Sequence, residues 1–403
     1  MKNIAFTLIG GHGWVGGLNY QINLLKALVN YEKNRIQPYL FLGLDVDQKI
    51  YDRFKEIIGL KIIQSEVVNE KNKTVRLIKS IFLGKDNAVL KLFSEHRIDV
   101  VFEAANFYGW HFPIPAIAWV PDMQHRQLRH LFNFFSYWKR EIGFRFQLLN
   151  GRKIMLSSED ARVDFEHYYP TSVGLTHVVR FAVPAEASRL DSRAIADEYG
   201  LPEHFFFLPN QFWKHKNHEC VVQALSILKS QSKEVVIAVS GKQNDHRDEM
   251  YFPKLKNSVD SLGLTNSFKM LGVIPYQHIA ALMISSSALL NPSKFEGWST
   301  TVEEAKAIGV RMILSDLNVH KEQAGEFADF FNPNSPNELA ERLINFKPLL
   351  AEEKLVLQVE AAARSNFRVA EYAKVFTDLV ELTCINEQKY FITGILSFSS
   401  NVE

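Results

Sequence analysis

The sequence predicts an α/β chain of two doubly wound, parallel-sheet domains in tandem. Three observations predict it. Short apolar runs alternate with amphipathic stretches of helical period along most of the chain, the pattern of βαβ units. The alternation restarts after Leu201-Pro202, which makes two series rather than one. The chain has 403 residues, 47% apolar and 23% charged, which suits two ordinary cores and excludes a disordered, collagenous or coiled-coil chain.

The elements follow in order. Residues 3–9 read as the first strand, then a glycine-rich loop, then a helix over 19–30. Residues 37–42, 99–103, 117–120 and 153–157 are the next strands of the first series. In the second series the strands are 205–208, 235–239, 268–271, 288–291 and 310–314. The helices between them fall near 218–230, 247–262, 276–286 and 301–307, and a long helix is expected around 369–383. The domains are placed at 1–185 and 186–375, joined near 181–193, with 376–403 as helix end and tail. Ligands of such sheets bind beyond the carboxyl ends of the strands, so a cleft between the domains is the expected site.

Charge and cysteine content narrow the class. Lys and Arg total 46 against 45 Asp and Glu, a net of +1, and no nucleic-acid module is present, so no nucleic acid is expected as a partner. The balance is uneven: residues 1–180 hold 24 basic and 17 acidic residues, a net of +7, and the remainder holds 22 and 28, a net of −6. The N-terminal half suits an anionic partner. Cys220 and Cys384 offer neither a disulfide framework nor a metal set and fit a reducing, cytoplasmic setting. The short run before the first glycines is too brief for a signal peptide, and no apolar run approaches the ~18 residues of a membrane span.

Gly11-His12-Gly13-Trp14-Val15-Gly16 fits G-x-G-x-x-G between a strand and a helix, and Gly17 extends it. Glycines let the backbone approach a phosphate at a helix N-terminus. No acidic residue closes the second strand at the spacing a dinucleotide ribose requires, because Asp45 comes late. A loop touching phosphate or acceptor is preferred. A nicotinamide site and a ligand-free tight turn stay open.

In the second half, Glu296 and Glu304 bracket seven residues that cross from a strand end into a helix. Asn291-Pro292-Ser293 ends the strand, and Ser299 or Thr300 is the expected N-cap. Free N–H groups at Ser299, Thr300 and Thr301 would hold a phosphate, with a carboxylate on each side for sugar and ribose hydroxyls. The competing reading is that Glu303 and Glu304 merely favour the first turn of a helix.

Residues 291–309 resemble the E-x7-E signature of retaining glycosyltransferases of the GT-B fold, family 4. Gly272-Val273-Ile274-Pro275 resembles that family's loop near the nucleotide base, and residues 208–218 its phosphate-contacting loop. Ala118-Trp119-Val120-Pro121-Asp122-Met123-Gln124-His125 is similar to a stretch in enzymes that build bacterial surface polysaccharide, and Gly16-Gly17 to the N-terminal glycine loop. The resemblance spans most of residues 1–345. It implies two Rossmann-like domains, acceptor in the first and nucleotide sugar in the second. It implies that Glu296 stabilises charge at the donor sugar, that Glu304 binds the ribose and that Lys216, with Lys214, neutralises the diphosphate. Ile274, Ser299, Thr300, Thr301, Gly16 and Gly17 would complete the donor site. Asp122 and His125 would join Glu296 as catalytic residues, and Glu103, Asn106 and Arg126 would meet the acceptor. Two positions depart from the pattern. Many members carry arginine five or six residues before the lysine, where this chain has Gln211 and Asn210, and many carry His-Asp where it has Pro121-Asp122.

The implied reaction moves a hexose from a UDP- or GDP-linked sugar, with no cofactor and no metal, to a glycan acceptor such as a lipid-linked oligosaccharide. Asp45-Val46-Asp47 resembles the metal-binding triplet of a different glycosyltransferase fold, and a solvated loop is preferred for it. Residues 126–152 interleave rings (Phe132, Phe134, Phe135, Tyr137, Trp138) with cations (Arg129, Lys139, Arg140). Such a run suits an anionic membrane face, or packs internally. An NAD(P)-dependent oxidoreductase, a nucleotide-sugar epimerase and a non-catalytic sugar-binding protein remain alternatives.

Overall fold

The computed structural model describes residues 1–10, 15–104, 106–185, 190–245 and 247–399. The chain forms two compact units. One comprises residues 1–123, 135–182 and 368–403, the other residues 124–134 and 183–367.

The first unit is built on a seven-stranded sheet: β1 (Lys2–Thr7), β2 (Ile36–Leu42), β3 (Lys61–Gln64), β4 (Val100–Ala104), β5 (Ala116–Trp119), β6 (Lys153–Leu156) and β7 (Thr176–Val178), in the order 3-2-1-4-5-6-7. The second holds six strands: β8 (Phe206–Leu208), β9 (Ile237–Ser240), β10 (Phe268–Gly272), β11 (Ala288–Asn291), β12 (Met312–Ser315) and β13 (Ala328–Phe331), in the order 10-9-8-11-12-13. All the pairings are parallel. The central strands β4, β5, β11 and β12 are buried along their whole length. That burial explains why they read as continuous apolar runs rather than alternating ones, since helices cover both faces of the sheet.

Each predicted strand is present within about two residues, the usual uncertainty of element ends. Three edge strands went unforeseen. β3, β7 and β13 are three or four residues long and half-buried or exposed along most of their length, so their sequences lack a dense apolar run.

The helix His218–Ser230 shows how local sequence sets packing. Its buried residues Val221, Val222, Ala224, Leu225 and Leu228 fall on one face, against β8, β9 and Leu339 and Leu343 of the helix Pro336–Asn345. Each of these valine and leucine side chains, fully buried, contributes roughly 1.5–3 kcal/mol. The closing helix runs over Ala351–Ser399, far longer than the expected 369–383. From residue 368 onward it belongs to the first unit, whereas the sequence placed 368–375 with the second domain. Aromatic contacts explain the assignment: Phe376 lies 6.1 Å from Phe6 and 5.5 Å from Phe102, centroid to centroid, and Tyr372 lies 6.4 Å from Tyr20.

Candidate active site

In each sheet the strand order reverses once, between β1 and β4 in the first unit and between β8 and β11 in the second. The loops leaving the carboxyl ends of such strands diverge and open a crevice. In the second unit, Asn210 follows β8 and donates from Nδ2 to Asn291 Oδ1 at 3.0 Å, at the end of β11. Gly241 permits this approach. Its φ is +153°, and a Cβ there would stand 2.5 Å from the Asn210 carbonyl oxygen.

Asn291 organises the loop that follows. Its Nδ2 donates to Glu296 Oε1 (3.3 Å) and Ser299 Oγ (3.1 Å), and its Oδ1 accepts Ser293 Oγ (2.6 Å). Glu296 Oε1 also accepts Ser293 Oγ at 2.8 Å and Lys216 Nζ at 2.6 Å. Among the described residues, Glu296 Oε2 takes no hydrogen bond, so one carboxylate oxygen is anchored and the other is uncommitted. Burial alone would raise the Glu296 pKa. The Lys216 ammonium, aided by His320, by the hydrogen bond itself and by His215, outweighs burial and holds the carboxyl at about 2.

Lys216 is aimed by its own backbone. Lys214–Lys216 form a single 3-10 turn, ended by Asn217 in the left-handed region (φ 59°), a conformation asparagine tolerates better than most residues. Asn217 Nδ2 donates to the carbonyls of Pro292 (3.0 Å) and Pro333 (2.8 Å), and Lys294 N donates to His215 O (2.8 Å). These bonds clamp the lysine turn onto the Glu296 loop. Burial, then the adjacent Lys216, pushes His215 down to about 3, so it adds no charge at neutral pH. Lys214 turns away to an exposed pairing with Asp248 at 3.4 Å.

Ser299 is the N-cap of the helix Thr300–Ala307, but its side chain makes no capping bond to that helix. Its amide, expected to be free for phosphate, donates instead to Gln323 Oε1 at 3.1 Å. Gln323 Nε2 returns to Ser299 O (2.7 Å) and to Glu303 Oε1 (3.0 Å). The first-turn amides at Thr300 and Thr301 remain those that an α-helix leaves without an intrahelical partner. Glu303 is buried and also bonded to Lys306 at 3.1 Å, a structural role. Glu304 beside it is half-exposed, 3.4 Å from the Tyr276 hydroxyl. Ile274 is half-buried against the core on that side.

Residues 191–365 match the family model described as glycosyl transferases group 1. The matched stretch lies within the second unit. No curated protein matches the chain in sequence. Similar solved structures include Anabaena HepE in complex with UDP and glucose, 16% identical with a TM-score of 0.66, covering 94% of this chain and all of that one. Sucrose-phosphate synthase of Thermosynechococcus elongatus is 14% identical with a TM-score of 0.61, over 98% of this chain and 100% of that one. WaaG, described as a glycosyltransferase involved in lipopolysaccharide biosynthesis, is 14% identical with a TM-score of 0.56, over 94% and 98%. At these identities the likeness establishes the architecture, two parallel-sheet α/β domains of GT-B type. With the group 1 domain, it supports a glycosyltransferase.

The second unit thus brings together Lys216, Glu296, Ser299, Thr300 and Thr301, with Glu304 on the same helix. Sequence reading missed Asn291, Ser293, Asn217, His320 and Gln323. Asn-Pro-Ser at a strand end was a signal for the first two, and the spacing of His320 and Gln323, one helical turn apart, was a signal for the last pair. Arg247 was also missed. It pairs with Asp245 (2.9 Å), reaches Gln124 Oε1 (3.0 Å) and covers the Trp213 ring.

In the first unit the expected residues divide. Gly16 and Gly17 lie in the first turn of the helix Val15–Tyr31, whereas Gly11, His12, Gly13 and Trp14 fall outside the described residues. Asn106 donates to Thr7 Oγ1 at 2.7 Å, across that sheet's own switch point. Glu103 is not open to an acceptor. It is fully buried, its Oε2 is 2.7 Å from Arg152 Nε, and its Oε1 takes the Tyr108 amide. Asp122 pairs with Arg140 at 3.1 Å. His125 and Arg126 belong to the stretch that clusters with the second unit, His125 being fully buried. Asp45 accepts the amides of Glu70 and Lys71, 25 and 26 residues away, and Asp47 caps the helix Gln48–Lys55, so both carboxylates of that triplet bind backbone amides. Among the described residues no cluster of three or more His, Cys, Asp or Glu is arranged to hold a metal ion.

Proposed function

We propose that the protein is a retaining, metal-independent hexosyltransferase acting on a UDP- or GDP-linked sugar. One observation carries this reading: within the group 1 domain, Lys216 and Glu296 form a tight pair at the switch point, beside the start of the helix Thr300–Ala307. The pair places a cation and a carboxylate where a sugar diphosphate needs both. As the bond from the anomeric carbon to the diphosphate oxygen breaks, negative charge grows on the leaving group. Lys216 and the helix start stabilise it. Positive charge develops at the sugar, and the uncommitted Glu296 Oε2 is the group to face it. The acceptor hydroxyl forms the new bond on the side the diphosphate leaves and passes its proton to the departing phosphate oxygen. Glu304 takes the ribose hydroxyls, Ile274 flanks the base, Asp122 and His125 join Glu296 as catalytic residues, and Asn106 and Arg126 meet the acceptor.

The acceptor we propose is a lipid-linked oligosaccharide of surface polysaccharide, O-antigen or capsule, handled on the cytoplasmic face of a membrane. HepE with UDP-glucose, WaaG in lipopolysaccharide biosynthesis and the net +7 of residues 1–180 support this reading. A thermal-shift panel of nucleotide sugars tests it, because a ligand bound only by the native state raises stability, about 2.7 kcal/mol at a hundred times Kd. One UDP- or GDP-sugar should stand out, with EDTA without effect. NAD(P)H stabilising the protein in place of every nucleotide sugar would overturn the reading in favour of an oxidoreductase.

A further inference from the structure

The helix Lys73–Leu83 is packed inside out. In a surface helix the apolar stripe faces the core. The next helix obeys this rule: in Asn87–Glu95 the buried residues are Val89, Leu92 and Phe93. In Lys73–Leu83 the fully buried residue is Ser80, whose hydroxyl bonds Arg76 O, and the inward face continues through half-buried Lys73 and Arg76. The outward face carries Val75, Ile78 and Phe82, at helical spacing and 53%, 51% and 82% exposed, with Leu77 and Leu83 alongside.

This orientation is fixed at both ends. Arg76 Nη1 donates to Val67 O at 2.6 Å. At the other end Gly84 terminates the helix with φ +75°, His111 N donates to its carbonyl at 2.7 Å, and Gly109 comes so close that a Cβ there would meet Gly84 O at 2.2 Å. Only glycine permits that contact. Trp110, beside this junction, meets Phe146 of the helix Phe134–Leu148 at 5.8 Å, so the end of the inside-out helix adjoins a second one that exposes Phe135, Trp138 and Ile142.

Charge decides the occupant. Lys71, Lys79 and Lys85 are exposed along and beside this helix, whereas Arg76 turns inward to Val67 and Lys73 to Glu70 at 3.9 Å. The run 126–152, which the sequence left open between a membrane face and internal packing, pairs several of its cations within the chain: Arg140 with Asp122, Arg145 with Glu141 and Arg152 with Glu103. An apolar face rimmed by lysines matches an anionic lipid surface, with the side chains in the acyl boundary and the ammonium groups at the phosphates.

We infer that Lys73–Leu83 is the membrane-docking helix of this protein, seated on anionic lipid through Val75, Ile78 and Phe82. This deepens the lipid-linked acceptor reading and rests on it for purpose, though not for geometry. The test is cosedimentation of the full-length protein with vesicles of phosphatidylcholine alone or mixed with phosphatidylglycerol. Binding should require the anionic lipid and weaken with salt, over a screening length of about 8–10 Å. Ile78→Ser with Phe82→Ser should cut it at least about tenfold, and Lys79→Gln with Lys85→Gln roughly fivefold per charge. Because these side chains are exposed, melting temperature and nucleotide-sugar turnover in the absence of vesicles should match the unaltered protein. Binding unchanged in the Ile78/Phe82 variant, equal binding to both vesicles, or a dimer that the variant dissociates would overturn the inference, the last by making a second copy the occupant. Absent turnover with intact vesicle binding would instead sink the transferase reading and leave this one standing.

Discussion

Asn210 and Asn291 join side chain to side chain at 3.0 Å across the point where the second sheet reverses its strand order. The bond holds the ends of β8 and β11, from which the two halves of the site depart. Lys216 follows one strand and Glu296 the other, eighty residues apart in sequence and 2.6 Å apart in space. The first unit repeats the device with Asn106 and Thr7, at 2.7 Å. Asparagine suits both places because its amide donates and accepts at once, which leaves a strand-end carbonyl or a neighbouring carboxylate satisfied without adding charge.

Lys216→Ala should lower nucleotide-sugar turnover by roughly 10²-fold or more, the loss expected for one preorganised group facing a developing charge. Single-turnover rates with saturating donor are the measurement. Lys214→Ala, which removes an exposed ammonium already paired with Asp248, should cost far less.

The two glutamates should separate kinetically. In the proposed reaction Glu296 faces charge that grows in the transition state, so Glu296→Gln should depress kcat and spare nucleotide affinity. In the same proposal Glu304 faces a ribose whose charge does not change, so Glu304→Gln should chiefly raise the donor KM. Steady-state kinetics with calorimetry of nucleoside diphosphate binding resolve the two. Wild-type kcat in Glu296→Gln would remove that residue from the chemistry.

Acid should loosen the site in a definite window. Glu296 titrates at about 2 in the folded chain, below the ordinary carboxylate near 4.5. A folded-state pKa below the unfolded one adds stability that is complete above about pH 4.5 and disappears as pH falls towards 2. Glu296→Gln should therefore flatten the dependence of melting temperature on pH across that window. An unchanged slope would mean that the pair is not formed in solution.

Gln323→Leu should act on the donor loop without touching substrate. It removes the bonds to Ser299 N, Ser299 O and Glu303, and leaves buried groups unpaired, at a cost of about 2–4 kcal/mol. The expected outcome is a lower urea midpoint and a higher donor KM.

Glu103 and Arg152 should report on folding rather than on acceptor. Their pair is buried on both sides, so Arg152→Ala strands a carboxylate in the core at about 3–5 kcal/mol. Denaturant unfolding of the variant measures this. A stable variant with a raised acceptor KM would return Glu103 to the acceptor site.

Sequence by itself determined the α/β class, two series of strands and the position of nearly every central strand. Those elements are local: a strand buried on both faces must be apolar along its length, and a buried helix face must repeat at helical spacing. The donor loop was legible for the same reason, since Glu296, Ser299 and Glu304 lie within one strand-to-helix passage. What tertiary structure alone decided is which polar groups meet. Nothing near Glu103 announces Arg152, nothing near Ser299 announces Gln323, and nothing within Lys73–Leu83 announces which of its faces points outward. Amphipathic period fixes that a helix has two faces, but the direction each face points is set by what the neighbouring backbone holds. Here Val67 and the Gly84–Gly109 junction turn the lysine-rimmed apolar face away from the core.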